Sequence, residues 1–322
     1  MKGVLEIRID KELAGKTVKE LLRSTVRLSG AMTRHLKFSE GGILVNGNHV
    51  TVRHVLREGE LLFLAVEDRE DQEQLIPVNL PLDVVYEDED LVVPSKPSEM
   101  PTHPSHGHHE DTVANALAFR YAEAGVPFVF RPVNRLDRNT SGLLLIARNR
   151  IAAARLGQAM QRGEIRKSYL AILSGVLPQP EGIIETYMRR TAASVILREN
   201  CSEGEGGAYA KTAYRVRAVA NGYTLVECEP LTGRTHQLRV HFAGLGCPIL
   251  GDELYGEPSP LIPRHALHSY RLTFPRPSDG ARITAEAALP ADLLAVLHAI
   301  GMTDEALPLH NRVKGDFLEI RN

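Results

Sequence analysis

The chain has few cysteines and no long apolar segment. Its three cysteines, Cys201, Cys228 and Cys247, are far apart and form no Cys-x-x-Cys pair. That pattern fits reduced thiols better than a disulfide framework or a zinc site. No uninterrupted apolar run approaches the ~20 residues of a membrane-spanning helix, and the N-terminus lacks the apolar core of a signal peptide. We therefore expect a cytoplasmic protein without a membrane partner.

A marked excess of charge of either sign is also missing. The 322 residues carry a formal net charge of −2, with 43% hydrophobic and 24% charged residues, which is typical of globular proteins. Net charge by itself therefore predicts no nucleic-acid partner, and such a partner has to be argued from local charge. The length allows two domains.

Local charge is uneven along the chain. Residues 67–90 hold ten acids against one base, whereas residues 131–170 hold nine bases against two acids. Residues 16–37 contain one acid and six bases, which are Lys16, Lys19, Arg23, Arg27, Arg34 and Lys37. Two basic regions are thus separated by an acidic one.

The acidic stretch predicts a domain boundary. It contains Pro77 and Pro81, and such composition is typical of a linker. We expect a small basic domain over residues 1–70, a linker over residues 71–82 and a larger domain over residues 83–322. A solvated acidic loop within one domain is the alternative.

The small domain is predicted to be α+β. Thr17 and Glu20 have the spacing of a capping box, and a second helix is expected over residues 30–38. Strands are expected around the hairpin signal Asn46-Gly47, over residues 43–45, 49–52 and 61–66. The stretch GGILVNGNHVTVRHVLREGELLFL resembles the S-four-like RNA-binding domain of ribosomal proteins. A generic small α+β domain with solvated basic helices remains the alternative.

The larger domain alternates short strands and helices. Helices are expected over residues 112–124 and 150–162, and Pro94 is expected to end a strand or lie at a sheet edge. Further strands are expected over residues 82–86, 91–93, 168–173, 212–219 and 223–229. This order predicts an α+β fold with a mixed, largely antiparallel sheet rather than a doubly wound parallel one.

The most informative segment surrounds Asp137, which lies between Arg135 and Arg138. A polar turn over residues 139–142 follows, and then an apolar run over residues 143–147 that predicts a buried strand. Arginine neighbours favour the charged form of a carboxylate, and a turn at a strand edge can aim it rigidly. Taken alone, a surface ion-pair cluster is the commoner structure with this pattern.

Two later segments also contain candidate functional residues. Tyr169 stands on a predicted strand just after a basic helix. Thr235 is predicted to cap a helix, and Arg239 lies beside its buried face, where it can reach into a cleft. That buried face is predicted to consist of Leu238, Phe242 and Leu245.

Four motifs in order connect these residues to one family. The motifs are NRLDRNTSGL, KSYLA, TGRTHQLRVHFAGLGCPILGDELYG and ALHSYRLTF. In this order and spacing the chain resembles the RluA-type pseudouridine synthases from about Asp83 to Phe274. The resemblance implies isomerisation of uridine within RNA, with no cofactor and no metal, because neither redox change nor group transfer occurs.

The resemblance implies roles for three catalytic residues. Asp137 either attacks the anomeric carbon of the ribose or removes a neighbouring sugar proton. Arg239 is implied to be its cationic partner, and Tyr169 is implied to stack on the displaced base. One departure from the family pattern is Asn134, where many members have histidine, and Pro94 is a second.

Substrate contacts are implied as well. The target nucleotide has to be flipped out of stacked RNA, and Arg135 is suited to support or replace it. Leu238 is expected in the core or in the uracil pocket. Arg234, His236 and Thr140 are further candidates for substrate binding. Arg166 and Lys167, with the six bases of residues 16–37, are expected to hold phosphates.

Other functions fit the sequence less well. A metal site at His103, His106, His108 and His109 would need a rigid frame, and a serine hydrolase would need a GxSxG elbow that is missing. A glycosidase generally needs a second carboxylate. An RNA-binding or ribosome-assembly protein without catalysis is the main alternative. We expect ribosomal RNA as the substrate, with transfer RNA open, and a monomer, because the basic faces must stay free.

Overall fold

A computed structural model gives the fold. It describes residues 4–26, 30–39, 41–65, 75–105, 107–192 and 194–307. None of the helices in this part of the chain has the length and apolarity that crossing a bilayer requires.

The first 65 residues form a small sheet covered by two helices. Its elements are β1 (Val4–Arg8), α1 (Val18–Ser24), α2 (Gly30–Phe38), β2 (Ile43–Val45), β3 (Asn48–His49) and β4 (Leu61–Ala65). The four strands are antiparallel in the order β1-β4-β2-β3. The predicted capping box is confirmed, since Glu20 N–H donates to Thr17 Oγ1 and Thr17 N–H donates to the Glu20 carboxylate.

The predicted hairpin is confirmed, but its return strand is shorter than expected. Asn46 and Gly47 both have positive φ, 49° and 81°, as a tight two-residue hairpin turn requires. The return strand ends at His49 instead of residue 52. Leu44 lies opposite His49 at its end.

The remainder of the described chain forms a twelve-stranded mixed sheet with four helices. Its first elements are β5 (Asp83–Glu87), β6 (Leu91–Lys96), α3 (Val113–Glu123), β7 (Arg131–Pro132), β8 (Ser141–Leu143), β9 (Ile146–Ala147) and α4 (Arg150–Gln161). The later ones are β10 (Arg166–Ser174), β11 (Glu181–Arg190), β12 (Arg198–Cys201), β13 (Ala208–Ala220), β14 (Tyr223–Pro230), α5 (Gln237–Gly244), β15 (Leu267–Pro275), β16 (Arg282–Glu286) and α6 (Ala291–Ala299).

The strand order confirms the predicted fold class. The main path is β12-β11-β13-β14-β10-β15-β8-β6-β9-β7, with β16 beside β15 and β5 beside β6. Among the described strands only β15 and β8 pair in parallel, at His268 with Ser141 and Ser269 with Gly142. This parallel contact brings the start of β15 beside the Asp137 turn.

The sheet is buried on both faces near this contact. The apolar run over residues 143–147 alternates between two cores. Leu144 and Ile146 pack with the cluster that contains α3, whereas Leu143 and Leu145 pack with the cluster that contains α4. The run was predicted as one strand, but it divides into the end of β8 and the whole of β9, which pair with different parts of β6.

Pro94 does not end its strand, contrary to expectation. β6 continues to Lys96 and has neighbours on both sides. The register of β5 against β6 shifts between Val84 and Tyr86, next to the Val84–Pro94 pair. The missing N–H of Pro94 therefore falls at a β-bulge, one of the few places where a sheet accepts proline.

The two sheets touch through α4. Ile151 packs against the core of the small sheet. Arg155 donates to the backbone oxygens of Val26 and Pro277, at 3.4 and 2.6 Å. Residues 75–82 precede β5 and lie against the larger unit, where Asn115 Nδ2 donates to Ile76 O at 2.8 Å.

Candidate active site

A cleft of about 430 Å³ opens at the parallel contact of the large sheet. It collects most of the residues that the sequence singled out around the catalytic motifs. Its lining includes Arg135, Asp137, Thr140, Lys167, Tyr169, Arg234, His236, Leu238 and Arg239. These residues come from segments up to about 100 positions apart in the chain, so the sheet order brings the motifs together.

The turn that carries Asp137 is held by its backbone. Thr140 N–H closes it by donating to Asp137 O at 3.0 Å. Lys96 Nζ donates to Arg138 O at 2.7 Å, and Arg264 Nη1 donates to Asn139 O at 3.1 Å. The donors lie on β6 and just before β15, so the sheet fixes the direction of the Asp137 side chain.

Gly142 follows this turn and cannot be replaced without strain. Its φ is +110°, and a Cβ there would lie 2.2 Å from Ser269 O. Glycine lets the backbone of β8 approach β15 closely enough for the parallel pairing. The glycine of the first motif therefore has a packing role.

Asp137 faces two cationic or polar partners across the cleft. Arg239 Nη1 lies 3.5 Å and His236 Nε2 lies 3.8 Å from Asp137 Oδ2. The sequence neighbours Arg135 and Arg138, which were expected to support the carboxylate, form no ion pair with it among the described contacts. The Arg138 guanidinium instead approaches Asn139 and His108, because neighbours on a turn point in different directions.

Arg239 is held in place by a second carboxylate. Its Nε and Nη2 each donate to Asp252 at 2.7 Å, which leaves Nη1 for Asp137. Asp252 is fully buried. Burial raises the pKa of Asp252, but the hydrogen bonds and charge of Arg239 outweigh it and hold the pKa below its usual value. Bidentate pairing of this kind fixes both position and orientation.

Tyr255 contacts both partners of Asp137. Its hydroxyl lies 2.8 Å from His236 Nδ1, and the Arg239 guanidinium lies over its ring at 5.0 Å from the centroid. Tyr255 N–H and Leu254 N–H donate to Asp252 Oδ1, at 3.3 and 3.1 Å. The loop after α5 therefore organises the side of the cleft opposite Asp137.

Tyr169 forms part of the cleft wall. It lies on β10 opposite Ser269 of β15 and Cys228 of β14, and it is buried. Burial raises the pKa of its phenol, and a hydrogen bond with Ser269 opposes the rise. The phenol is therefore neutral at pH 7.

The predicted cap at Thr235 and the predicted burial of Leu245, both for helix α5, are wrong. The residue that precedes the helix is His236, with φ +58° and no capping hydrogen bond from its side chain, whereas Thr235 is exposed. The side chain of Gln237 instead closes the turn before the helix, since its oxygen accepts from Arg234 N–H at 3.0 Å. Leu238 and Phe242 are buried as expected, but Leu245 is 40% exposed because the helix ends at Gly244.

The other predicted substrate contacts differ in exposure. Arg135 and Arg234 are exposed at the cleft, and Arg234 Nε donates to Tyr209 O at 2.9 Å. Thr140 is buried, and its hydroxyl is 2.7 Å from His265 Nε2. Leu238 both lines the cleft and packs in the core.

The predicted phosphate-binding bases fall into two places. Lys167 lines the cleft, where burial lowers its pKa, and Arg166 is exposed beside it on β10, outside the lining. Arg27 lies outside the described residues. The bases on or near the helices of the small sheet do not line the cleft; they are Lys16, Lys19, Arg23, Arg34 and Lys37.

Several supporting residues had no role in the sequence prediction. Lys96 is fully buried and donates to three backbone oxygens. Its burial, with Arg264 nearby, lowers its pKa to about 7. Burial, with Arg239 nearby, lowers the pKa of His265 to about 3. Lys96, Asp252 and Arg264 each lie within two residues of a short apolar run, over residues 91–94, 248–250 and 261–263, and that nearness is the signal that could have identified them.

The histidine-rich loop over residues 103–109 was considered as a metal site. Within the described ranges, no group of three or more His, Cys, Asp or Glu side chains could hold a metal ion. His106 lies outside them. His108 Nδ1 is 2.5 Å from Asp111 Oδ2.

The chain is similar in sequence to known proteins. The RNA pseudouridylate synthase family matches residues 90–244. An uncharacterised RNA pseudouridine synthase of Bacillus subtilis is 36% identical over 277 residues, covering 86% of this chain and 96% of the relative. The ribosomal large subunit pseudouridine synthase D of Vibrio cholerae is 35% identical over 277 residues, covering 81% and 84%.

A solved structure has a similar fold. The human RNA pseudouridylate synthase domain-containing protein 1 superimposes with a TM-score of 0.55 at 28% identity, covering 67% of this chain and 87% of the human one. The matched region of the family contains the lining residues of the cleft from Pro132 to Arg239, whereas Leu267 of β15 lies beyond it.

Proposed function

The chain belongs to the RNA pseudouridine synthase family and isomerises uridine within RNA, and on this premise we propose that its target lies in large-subunit ribosomal RNA and that Asp137 is the catalytic residue. The Vibrio cholerae relative is named a ribosomal large subunit pseudouridine synthase, and this name supports large-subunit ribosomal RNA as the target. Transfer RNA is the alternative substrate. The observation that carries the catalytic role is one carboxylate on a rigid turn, facing Arg239 and His236 in a cleft.

The reaction exchanges one bond of the sugar for another. The bond between ribose C1′ and uracil N1 breaks, a bond between C1′ and C5 forms, and the proton that leaves C5 is matched by the proton that N1 gains. Asp137 either attacks C1′ and is later displaced, or removes the proton from C2′ and returns it. Both routes need an ionised carboxylate beside the sugar.

The surroundings of Asp137 suit either route. Arg239 stays charged beside it, because Asp252 and Asp137 raise the pKa of the guanidinium more than burial lowers it. Tyr169 and Leu238 provide an apolar wall, against which a uracil ring can stack. A volume of about 430 Å³ is in the range of small-molecule sites, so the cleft can accept one flipped nucleoside.

RNA has to present that nucleoside outside its stack. Arg135 is exposed at the cleft next to the Asp137 turn, where it can support or replace the flipped base. Thr140, Arg234 and His236 complete the proposed substrate contacts. Lys167 and Arg166 extend the basic surface along β10 and are proposed to bind phosphates.

The small sheet is proposed to act as an S-four-like RNA-binding domain. Its bases Lys19 and Arg23 lie on the exposed side of α1, while α4 connects it to the catalytic part. We propose domains over residues 1–70 and 83–322, joined by residues 71–82. The protein is proposed to act as a cytoplasmic monomer.

The test is pseudouridine mapping in ribosomal and transfer RNA after incubation with wild type and Asp137→Asn. Wild type should modify large-subunit ribosomal RNA. The variant should lose at least about 100-fold in rate, since either role of the carboxylate contributes that much. Asp83→Asn makes the same acid-to-amide change at an exposed residue of β5 and should retain full activity. Wild-type rates for Asp137→Asn would refute the proposal, as would RNA binding without product by wild type.

A further inference from the structure

Tyr255 stands between the backbone of β12 and the ring of His236. Arg198 N–H donates to Tyr255 Oη at 3.0 Å, and the same oxygen lies 2.8 Å from His236 Nδ1. An amide N–H can only donate, so the oxygen accepts there. Arg198 N–H occupies one acceptor position of the oxygen, which leaves the hydroxyl proton free to be donated to the imidazole.

This arrangement selects one tautomer of His236. When Nδ1 accepts the hydroxyl proton, a neutral imidazole carries its own proton on Nε2. Nε2 is the atom that faces Asp137, at 3.8 Å from Oδ2. Burial lowers the pKa of His236, with Asp137 opposing and Arg239 assisting the change, so the ring is neutral at pH 7.

His236 also has a strained backbone. Its φ of +58° is left-handed, a conformation that residues other than glycine adopt only uncommonly. The carbonyl of His236 accepts from Val240 N–H at 3.0 Å, in the first turn of α5. The ring meets that of Tyr255 edge to face at 5.6 Å. Helix and tyrosine together hold the ring toward the cleft.

We propose that Tyr255 is a positioning residue that fixes His236 as the Nε2–H tautomer, so that a neutral donor faces Asp137 beside Arg239 during the isomerisation. This inference rests on the proposed catalytic role of Asp137. The distance of 3.8 Å has to shorten when RNA fills the cleft, as catalytic hydrogen bonds commonly do. A neutral donor orients the carboxylate without adding a second cation that would stabilise it before reaction.

Five charged or titratable groups surround the His236 ring. They are Asp137, Arg198, Arg239, Asp252 and Tyr255. In Tyr255→Phe the hydroxyl that donates to Nδ1 is lost, and with it the contact that favours an unprotonated Nδ1. The pKa of His236 should therefore rise in Tyr255→Phe, and both tautomers should become populated.

The first experiment compares Tyr255→Phe with Tyr121→Phe. Tyr121 is a matched control outside the cleft, since its hydroxyl donates to Glu87 at 2.8 Å and Arg148 lies over its ring at 4.7 Å. Tyr255→Phe should lower the single-turnover rate about 10-fold or more, as loss of a tautomer-fixing partner does, with RNA affinity unchanged. Tyr121→Phe should change only stability. Equal rates for Tyr255→Phe and wild type would overturn the inference.

Nitrogen NMR of the histidine rings gives a readout that a structural role alone would not move. In wild type the signals assigned to His236 by comparison with His236→Gln should be those of the Nε2–H tautomer. In Tyr255→Phe they should average between the two tautomers and titrate at higher pH. An Nδ1–H tautomer in wild type would contradict the proposal directly.

The second experiment compares His236→Gln with His236→Asn. Glutamine places its amide near the position of Nε2, whereas asparagine places it near Nδ1. Glutamine should therefore retain at least about 10-fold more rate. A left-handed backbone favours asparagine over glutamine. If His236 had only a structural role, His236→Asn would therefore be the more active variant. An asparagine variant as active as the glutamine variant would overturn the inference.

These outcomes separate the two proposals. If Asp137→Asn is inactive while Tyr255→Phe and His236→Asn match wild type, the proposed function stands and the tautomer role fails. If Asp137→Asn is as active as wild type, the proposed function fails, and the tautomer role in catalysis fails with it. The NMR result still reports the tautomer by itself.

Discussion

Arg239 is bound to Asp252 through two hydrogen bonds of 2.7 Å and reaches Asp137 with its remaining nitrogen at 3.5 Å. One guanidinium thus connects a fully buried carboxylate with a partly exposed one. The buried carboxylate sets where the guanidinium stands, and the exposed one is left open to the cleft. The position of the cation that faces Asp137 therefore depends on Asp252, which does not line the cleft.

Substitution of Asp252 should lower catalysis more than binding. Asp252→Asn leaves Arg239 without its bidentate partner, and displacement of a catalytic group by about 1 Å costs roughly 100-fold in rate. We expect a single-turnover rate lowered by about that factor with unchanged RNA affinity. Loss of the partner of a buried charge should also cost about 3–5 kcal/mol of unfolding free energy, so rates are compared where both proteins are folded.

The control for Asp252→Asn is Glu286→Gln. Glu286 pairs with Arg271 at 2.5 Å on the β15–β16 hairpin, away from the cleft lining. The Glu286→Gln variant should keep the wild-type single-turnover rate. A rate for Asp252→Asn within twofold of this control would contradict the dependence of Asp137 on Asp252.

Gly142→Ala should destabilise the protein through a backbone clash. Positive φ costs about 1–3 kcal/mol, and overpacking against Ser269 O, 2.2 Å from the new Cβ, adds about 1–3 kcal/mol. Gly222→Ala isolates the first effect, because φ there is +83° and nothing lies within 4 Å of a Cβ. Urea unfolding should show a larger loss of unfolding free energy for Gly142→Ala than for Gly222→Ala. Equal losses would mean that β8 can move away from β15.

Stability should fall as pH drops below neutrality. Burial lowers the pKa of His265 and His268 from 6.5 to about 3. The unfolded chain therefore binds protons at these residues from pH 6.5 downward, while the folded chain binds them only near pH 3. Each histidine contributes stability that is present above pH 6.5 and is lost toward pH 3, with a slope of about 1.4 kcal/mol per pH unit.

Urea unfolding between pH 7.5 and 5 measures this slope. His268→Asn keeps a polar atom near Ser141 Oγ, which is 2.9 Å from His268 Nδ1, and should flatten the profile by the share of one histidine. A variant with the wild-type slope would show that His268 is not the group responsible.

The basic helix α1 should contribute to RNA affinity through charge. Lys19→Gln with Arg23→Gln should weaken RNA binding and reduce the slope of log affinity against log salt by about 1–2, as loss of two phosphate contacts predicts. The single-turnover rate at saturating RNA should not change. Lys11→Gln removes an exposed charge outside the helix and should keep the wild-type slope. An unaltered slope in the double variant would exclude α1 from the RNA surface.

Local signals in the sequence predicted local structure well. The capping box of Thr17 and Glu20 and the turn at Asn46-Gly47 were predictable because short-range hydrogen bonds and backbone sterics decide them. The helix cap at Thr235 was not, because contacts distant in the chain shape that turn: the Gln237 side chain accepts from Arg234 N–H and donates to Lys211 O. Pro94 was misjudged because a bulge in the neighbouring strand accommodates it.

Four ordered motifs and the alternation of strands and helices were enough to predict the family, the fold class and the main lining residues of the cleft, because these features are properties of the linear chain. Tertiary structure decided which groups face Asp137. Its sequence neighbours Arg135 and Arg138 form no ion pair with it, whereas Arg239 and His236, about a hundred residues away, face it with Asp252 and Tyr255 behind them. Strand pairing across the sheet produces that arrangement, and no spacing along the chain encodes it.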